Sequence, residues 1–136
     1  MNPVELTPAK GIERHFTRAG TNPYDQLEWG LRDARIVDHR DGSVAFEQLD
    51  VEFPLSWSVT ASNIVSQKYF RGHLGSEGRE RSLRSVIDRV VSTITLWGTQ
   101  RGYFGEADSG AFGDELRWLL VNQRVSFNSP VWFNIG

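Results

Sequence analysis

The sequence predicts a mainly α-helical domain carrying one small β-hairpin, an α+β fold, and three observations lead there. Beyond residue 60, apolar residues recur at helical spacing in three segments, most plainly at Leu83, Val86, Ile87, Val90, Val91, Ile94 and Trp97. Earlier, two runs rich in β-branched and aromatic residues flank Asp41-Gly42, whose turn chemistry is that of a hairpin. With 136 residues, 39% hydrophobic and 24% charged, the chain can bury one core and is too short for two comfortable ones.

The elements follow in order. Residues 1 to about 23 carry Pro3, Pro8 and Pro23 with little periodicity, which predicts an extended or partly disordered arm. A short turn of helix is expected over Tyr24–Leu31. The hairpin comes next, near residues 34–53, with Ala34 to Asp38 as one strand, His39 to Ser43 as the turn and Val44 onward as the other. In that second strand Val44 and Phe46 share one parity and Leu49, Val51 and Phe53 the other. Strand side chains alternate faces, so the change predicts a bulge or break near Glu47-Gln48. Pro54 ends the strand.

Ala61, Ile64, Val65 and Tyr69 form the stripe of a first helix, followed by a glycine-rich link from Gly72 to Gly78. The long helix over Leu83 to Trp97 carries Arg84 and Arg89 largely off its stripe, with Arg81 just before it. Interleaved with Glu80 and Asp88, these arginines read as a solvated face rather than a phosphate-binding patch. A last helix opens near Asp108 or Ser109, either of which can cap it, and buries Phe112, Leu116, Leu119 and Leu120. Residues 24–125 thus make the helical domain, and "SFNSPVWFNIG", residues 126–136, is expected as a closing strand.

Composition excludes several functions. A net charge of -2 gives no electrostatic reason to expect nucleic acid or an anionic membrane. No apolar run approaches the about 20 residues that span a bilayer, and MNPVELTPAK lacks the apolar core of a signal peptide, so a cytoplasmic location is expected. The absence of cysteine rules out disulfides, thiolate metal sites and mechanisms that pass through a thiol of this chain. His15, His39 and His73 match no zinc-ligand spacing and read as surface or capping imidazoles. Gly72, Gly75 and Gly78 lack both the preceding strand and the spacing of a dinucleotide fingerprint, and read as a loop. The carboxylates Glu77, Glu80, Glu106, Asp108, Asp114 and Glu115 could supply acid and base, although solubility and the helix dipole already account for them. Trp29, Trp57, Trp97, Trp118 and Trp132 are scattered, as core and interface anchors are. The residues alone therefore describe a small helical domain with no visible active site, a description that a free-standing, non-enzymatic interaction or regulatory module also fits.

The segments "GTNPYDQLEWGLRDARI", "FEQLDVEFPLSWS", "NIVSQKYFRG", "RVVSTITLWG", "RGYF" and "FNSPVWFNIG" add a further reading. In order and spacing they resemble the amino-terminal domain of the adenosylcobalamin-dependent (class II) ribonucleotide reductases, from about Phe16 to Gly136. The resemblance implies an enzyme that reduces ribonucleotides to deoxyribonucleotides for DNA synthesis. In that family, homolysis of the cobalt–carbon bond of adenosylcobalamin leads to a cysteine thiyl radical that removes the 3′-hydrogen of the substrate ribose. Two further cysteines supply electrons as the 2′-hydroxyl leaves as water. Because this chain has no cysteine, the resemblance implies that it contributes no catalytic residue, binds no cofactor or metal itself and is inactive alone. Its partners would be a ten-stranded α/β barrel absent from this chain, which carries the cysteines and the cobalamin, and the ribonucleotide substrate, with no nucleic acid and no membrane.

On this reading residues 126–136 are the first stretch entering the barrel. The helical domain shields the radical from water, and its apolar tail and part of the tryptophan surface form the interface, sticky in isolation. One site carries over: a hydroxyl residue followed by proline contributes to the substrate's phosphate site, here Ser129-Pro130, with Asn128 a weaker second. A short hydroxyl and neighbouring backbone N–H groups can bond phosphate oxygens, and proline fixes the turn. The competing reading, preferred for the chain taken alone, is that Ser129 bonds a turn of its own backbone. Truncation, a split product and the free-standing module all remain open from the sequence.

Overall fold

The computed structural model describes residues 11–136. The prediction for the arm falls partly outside this range. Residues 11–22 have no regular structure, and Arg14, His15 and Phe16 dock on the final long helix.

The hairpin forms as its turn chemistry demands. Strand β1 (Trp29–Val37) pairs antiparallel with β2 (Val44–Pro54). Gly42 takes a φ of 75°, and the Asp38 and Gly42 N–H groups donate to Ser43 O and Asp38 O, both at 2.8 Å. The helical turn expected over Tyr24–Leu31 shrinks to a 3-10 turn at Pro23–Gln26. Trp29, Gly30 and Leu31 are instead drawn into the ladder by pairing with Pro54, Phe53 and Glu52.

The parity change in β2 is real but lies further along than predicted. Asp33 on β1 faces two residues, Leu49 and Asp50, between the Arg32–Val51 and Ala34–Gln48 pairs. Asp50 takes a φ of 56°, and its N–H donates to the Asp33 carboxylate at 3.1 Å. The inward set is therefore Phe46 and Gln48, then Val51 and Phe53, and Leu49 is left 54% exposed.

Three helices appear where periodicity places them: α1 (Val59–Lys68), α2 (Leu83–Gln100) and α3 (Glu106–Val121). Serines cap the first two, Ser58 accepting from Ala61 N–H at 3.0 Å and Ser82 from Arg84 N–H at 3.1 Å. Helix α3 starts earlier than expected, after Gly105, with no side-chain cap and with Glu106 and Asp108 in its first turn, where carboxylates favour the dipole. Helix α2 buries Leu83, Val86, Ile87, Val90 and Val91 against Val51, Phe53 and Val121. Trp97, expected on that stripe, is 42% exposed.

Helix α1 only half-buries the apolar stripe assigned to it, with Val65 and Tyr69 packed against the edge of the core. Ser62 and Ser66 are its buried residues and Ile64 is exposed. Small side chains let α1 approach the hairpin closely, where Arg32 donates to Ser62 Oγ at 2.7 Å and the Asn63 amide donates to Arg35 O at 2.9 Å. The glycine-rich link is a loop, as read. Gly72 has a φ of 97°, and a Cβ there would sit 2.7 Å from Gly78 O, so only glycine fits this turn.

The closing strand is a correction. Ser129–Asn134 form a short helix, α4. Pro130 occupies its first turn, where a missing N–H is no loss. Trp132 is 9% exposed, and its indole N–H donates to Phe127 O at 2.9 Å. It packs in the same cluster as the α2 residues, so the segment closes this domain's own core. The tail tryptophan is consequently shielded, not offered as free surface as expected. The exposed apolar side chains near it are Phe133 and Val125. No described helix is long and apolar enough to cross a membrane.

Candidate functional site

Ser129 and Asn128, the two residues singled out by sequence, sit together where α4 begins. Asn128 is exposed and extended in backbone (φ -73°, ψ 164°), and its side chain makes no capping bond. Its carbonyl accepts from Val131 N–H at 3.1 Å. Ser129 is half-buried, and its Oγ lies 2.9 Å from the Tyr69 hydroxyl. The bond to its own turn, the competing reading of Ser129, is not made by its side chain. Tyr69 follows directly on α1, and its ring packs on Phe133 and Trp132 at centroid distances of 5.3 and 6.2 Å.

The far end of α4 is held by two guanidinium groups. Arg89, on α2, bonds both oxygens of Glu80 at 3.1 and 3.2 Å. It also donates to Trp132 O, Ile135 O and Tyr69 O at 2.9, 2.8 and 3.2 Å. Arg71 donates to Phe133 O at 2.7 Å and to Gly136 O at 2.5 Å, while its own N–H reaches Glu80 at 2.8 Å. A third arginine, Arg79, braces the loop below by donating to Ser66 O, Phe70 O, Gly72 O and the Gln48 side chain. Burial lowers its pKa, with Glu80 acting in the opposite sense. Of these three guanidinium groups, that of Arg89 is the one bonded to the Glu80 carboxylate among the described residues, and the expectation that Arg89 belongs to a solvated face is overturned. Arg84 departs from it too, lying 4.0 Å over the Trp29 ring and pairing with Glu52 at 3.0 Å.

Beside Tyr69 and Trp132 a cavity of about 310 Å³ opens between α1, α2 and α3, lined mostly by apolar residues such as Trp57, Ile87 and Leu120. Its size is at the low end for small-molecule pockets.

The other sequence candidates do not converge. Asp114 pairs with Arg14 at 2.7 Å. Glu115 accepts from the backbone of His15 and, at 3.0 Å, from that of Phe16. Glu77 and Glu106 are exposed, and Glu80 is taken by arginine. All three histidines are exposed, and no group of three His, Asp or Glu suited to a metal ion occurs among the described residues. Tyr24, buried under α2, donates to Asp88 at 2.7 Å. Its hydroxyl is pushed well above the ordinary tyrosine range, by burial first and by Asp88 second.

Tyr69 and Arg71 are the site residues that sequence reasoning missed, while Glu80 and Arg89 were read in other roles. The run "KYFRG" contained the signal, since Tyr69 and Arg71 flank a buried phenylalanine. Their partners lie about 60 residues away, beyond any periodicity.

Comparison with known proteins adds a separate line of observation. The family model described as class II vitamin B12-dependent ribonucleotide reductase matches residues 32–123, ending before Asn128. Similar proteins called vitamin B12-dependent ribonucleotide reductase include one from Streptomyces avermitilis, 53% identical over 133 residues, covering 96% of this chain and 14% of that protein. One from Streptomyces coelicolor is 51% identical over 143 residues, covering 98% of this chain and 15% of that protein. One from Rhodopirellula baltica is 46% identical over 119 residues, covering 86% and 11%. The chain therefore spans about a seventh of the length of the first two relatives.

Proposed function

The chain belongs to the class II vitamin B12-dependent ribonucleotide reductase family, as an amino-terminal domain, and we propose that it walls the substrate cleft of a longer reductase and lends that cleft part of its phosphate site. The activity of the whole, on this reading, is the reduction of ribonucleotides to deoxyribonucleotides. Ser129 and Asn128 contact the substrate phosphates, and the exposed Phe133 and Val125 face the catalytic barrel that forms the rest of the protein.

One observation carries the reading: Ser129 presents a hydroxyl fixed in place beside an uncapped Asn128 side chain. Arg71 and Arg89 at the far end of α4, set against Glu80, give that end a positive balance that favours an anion nearby.

The cavity beside Trp132 is not suited to a cobalamin. It is mostly apolar and about 310 Å³, far smaller than a corrin with its nucleotide loop, and the three exposed histidines lie far apart in sequence on unrelated loops. We therefore place the cofactor, and the thiols this chain lacks, elsewhere in the longer protein.

The test is steady-state kinetics of the full-length reductase carrying Ser129→Ala or Asn128→Ala. Loss of a hydrogen bond to a charged group predicts a KM for ribonucleotide raised at least tenfold for Ser129→Ala and less for Asn128→Ala. An unchanged KM in both variants would remove Ser129 and Asn128 from the phosphate site.

A further inference from the structure

The contact between Tyr69 and Ser129 joins the end of α1 to the start of α4, and it has a chemical direction. The 2.9 Å contact lets either hydroxyl donate; because a phenol is a better donor and a poorer acceptor than an aliphatic alcohol, Tyr69 Oη–H is assigned as the donor to Ser129 Oγ. The serine proton is then left over. Among the described residues Ser129 Oγ has no other hydrogen-bond partner, and the residue is only half-buried. Tyr69 itself cannot drift: its N–H donates to Val65 O at 2.8 Å, its carbonyl accepts from Arg89 at 3.2 Å, and its ring is packed on Phe133.

We propose that Tyr69 is a positioning residue for substrate phosphate, donating nothing to the anion itself but occupying one lone pair of Ser129 so that the serine proton is aimed outward at a phosphate oxygen. The inference rests on the phosphate role proposed for Ser129, and it adds a residue from a different element of the fold. Without the phenol, the serine hydroxyl can rotate inward and must be reordered each time substrate binds.

The experiment uses the full-length reductase and measures the Kd of a ribonucleotide without added cofactor, together with KM and kcat in the complete reaction, for Tyr69→Phe, Ser129→Ala and the double variant. Tyr69→Phe should raise Kd and KM about fivefold with kcat changed less than twofold, and Ser129→Ala at least tenfold. Since Tyr69 acts through Ser129, the double variant should be no weaker than Ser129→Ala alone. The corresponding nucleoside, lacking phosphate, should bind all variants equally. A normal Kd for Tyr69→Phe beside a weakened Ser129→Ala would overturn the positioning role and leave the phosphate reading standing. A normal Kd for Ser129→Ala would remove both. A double variant weaker than Ser129→Ala by the full Tyr69→Phe factor would show that Tyr69 acts independently. Should Tyr69→Phe fail to fold, 3-fluorotyrosine at position 69 keeps the ring and strengthens the donor. It should leave Kd at or below the native value, and a higher Kd would refute the proposed direction of the bond.

Discussion

Arg89 uses all five of its N–H donors: Nε and one Nη2 hydrogen on Glu80, the other Nη2 hydrogen on Tyr69 O, and both Nη1 hydrogens on Trp132 O and Ile135 O. Its side chain and that of Glu80 are only 12% and 14% exposed. Lysine has the same charge but three donors on one atom, and it cannot span these acceptors. Arg89→Lys should therefore strand at least two half-buried acceptors and destabilise the chain by about 3 kcal/mol. Urea unfolding should show a lower midpoint with an unchanged slope, and a loss under about 1 kcal/mol would mean that charge alone matters at this position. Sequence could not reveal this role. Arg89 stands beside the apolar stripe of α2, so periodicity sends it outward, whereas its carbonyl partners come from α4 more than 40 residues on.

At the scale of elements, local chemistry made the hairpin and three helices legible, because Asp41-Gly42 and the Leu83–Val91 spacing act within a few residues of themselves. Elements whose form depends on distant contacts were misread. Trp29–Leu31 became strand through pairing with β2, and Ser129–Asn134 became helix because Pro130 starts it and Trp132 finds a core to enter. The described part of the arm also depends on distant contacts. Its docking on α3 depends on Glu115, which accepts from the backbone of His15 and Phe16, and on the Phe16 ring stacked 4.1 Å from that of Trp118. Burial pushes the Glu115 carboxyl upward, but the His15 backbone N–H, the Thr17 hydroxyl and the Phe16 and Thr17 N–H groups together hold it below its ordinary value. A depressed carboxylate contributes fully above the unfolded glutamate pKa of about 4.3 and loses its contribution as pH falls through the folded value. The arm should thus detach from α3 on acidification below about pH 4, moving the indole resonance of Trp118 in an NMR titration before the core unfolds. Glu115→Gln should abolish that early step, and a Trp118 signal that moves only with global unfolding would refute the link.

For the molecule as a whole, residues 126–136 belong to the core of this domain, whatever the chain leads into beyond them. Trp132 lies in one cluster with Leu83, Val86, Ile87 and Leu120, while Phe127, Val131 and Ile135 pack against its edge. Removing the segment would open the apolar cavity that those helix residues line and leave Arg89 with Glu80 and Tyr69 O alone. Loss of one buried tryptophan already costs about 3–5 kcal/mol, a large share of the roughly 5–15 kcal/mol that holds a domain of this kind together. A chain ending at Val125 should therefore keep much of its far-ultraviolet helical signal, lose its near-ultraviolet tryptophan signal and bind a hydrophobic dye such as ANS. The 136-residue chain should keep both signals and bind no such dye under the same conditions. If the shortened chain unfolded at the same denaturant midpoint as the longer one, with its near-ultraviolet spectrum intact apart from the missing Trp132, the α2 face would have to be closed without α4.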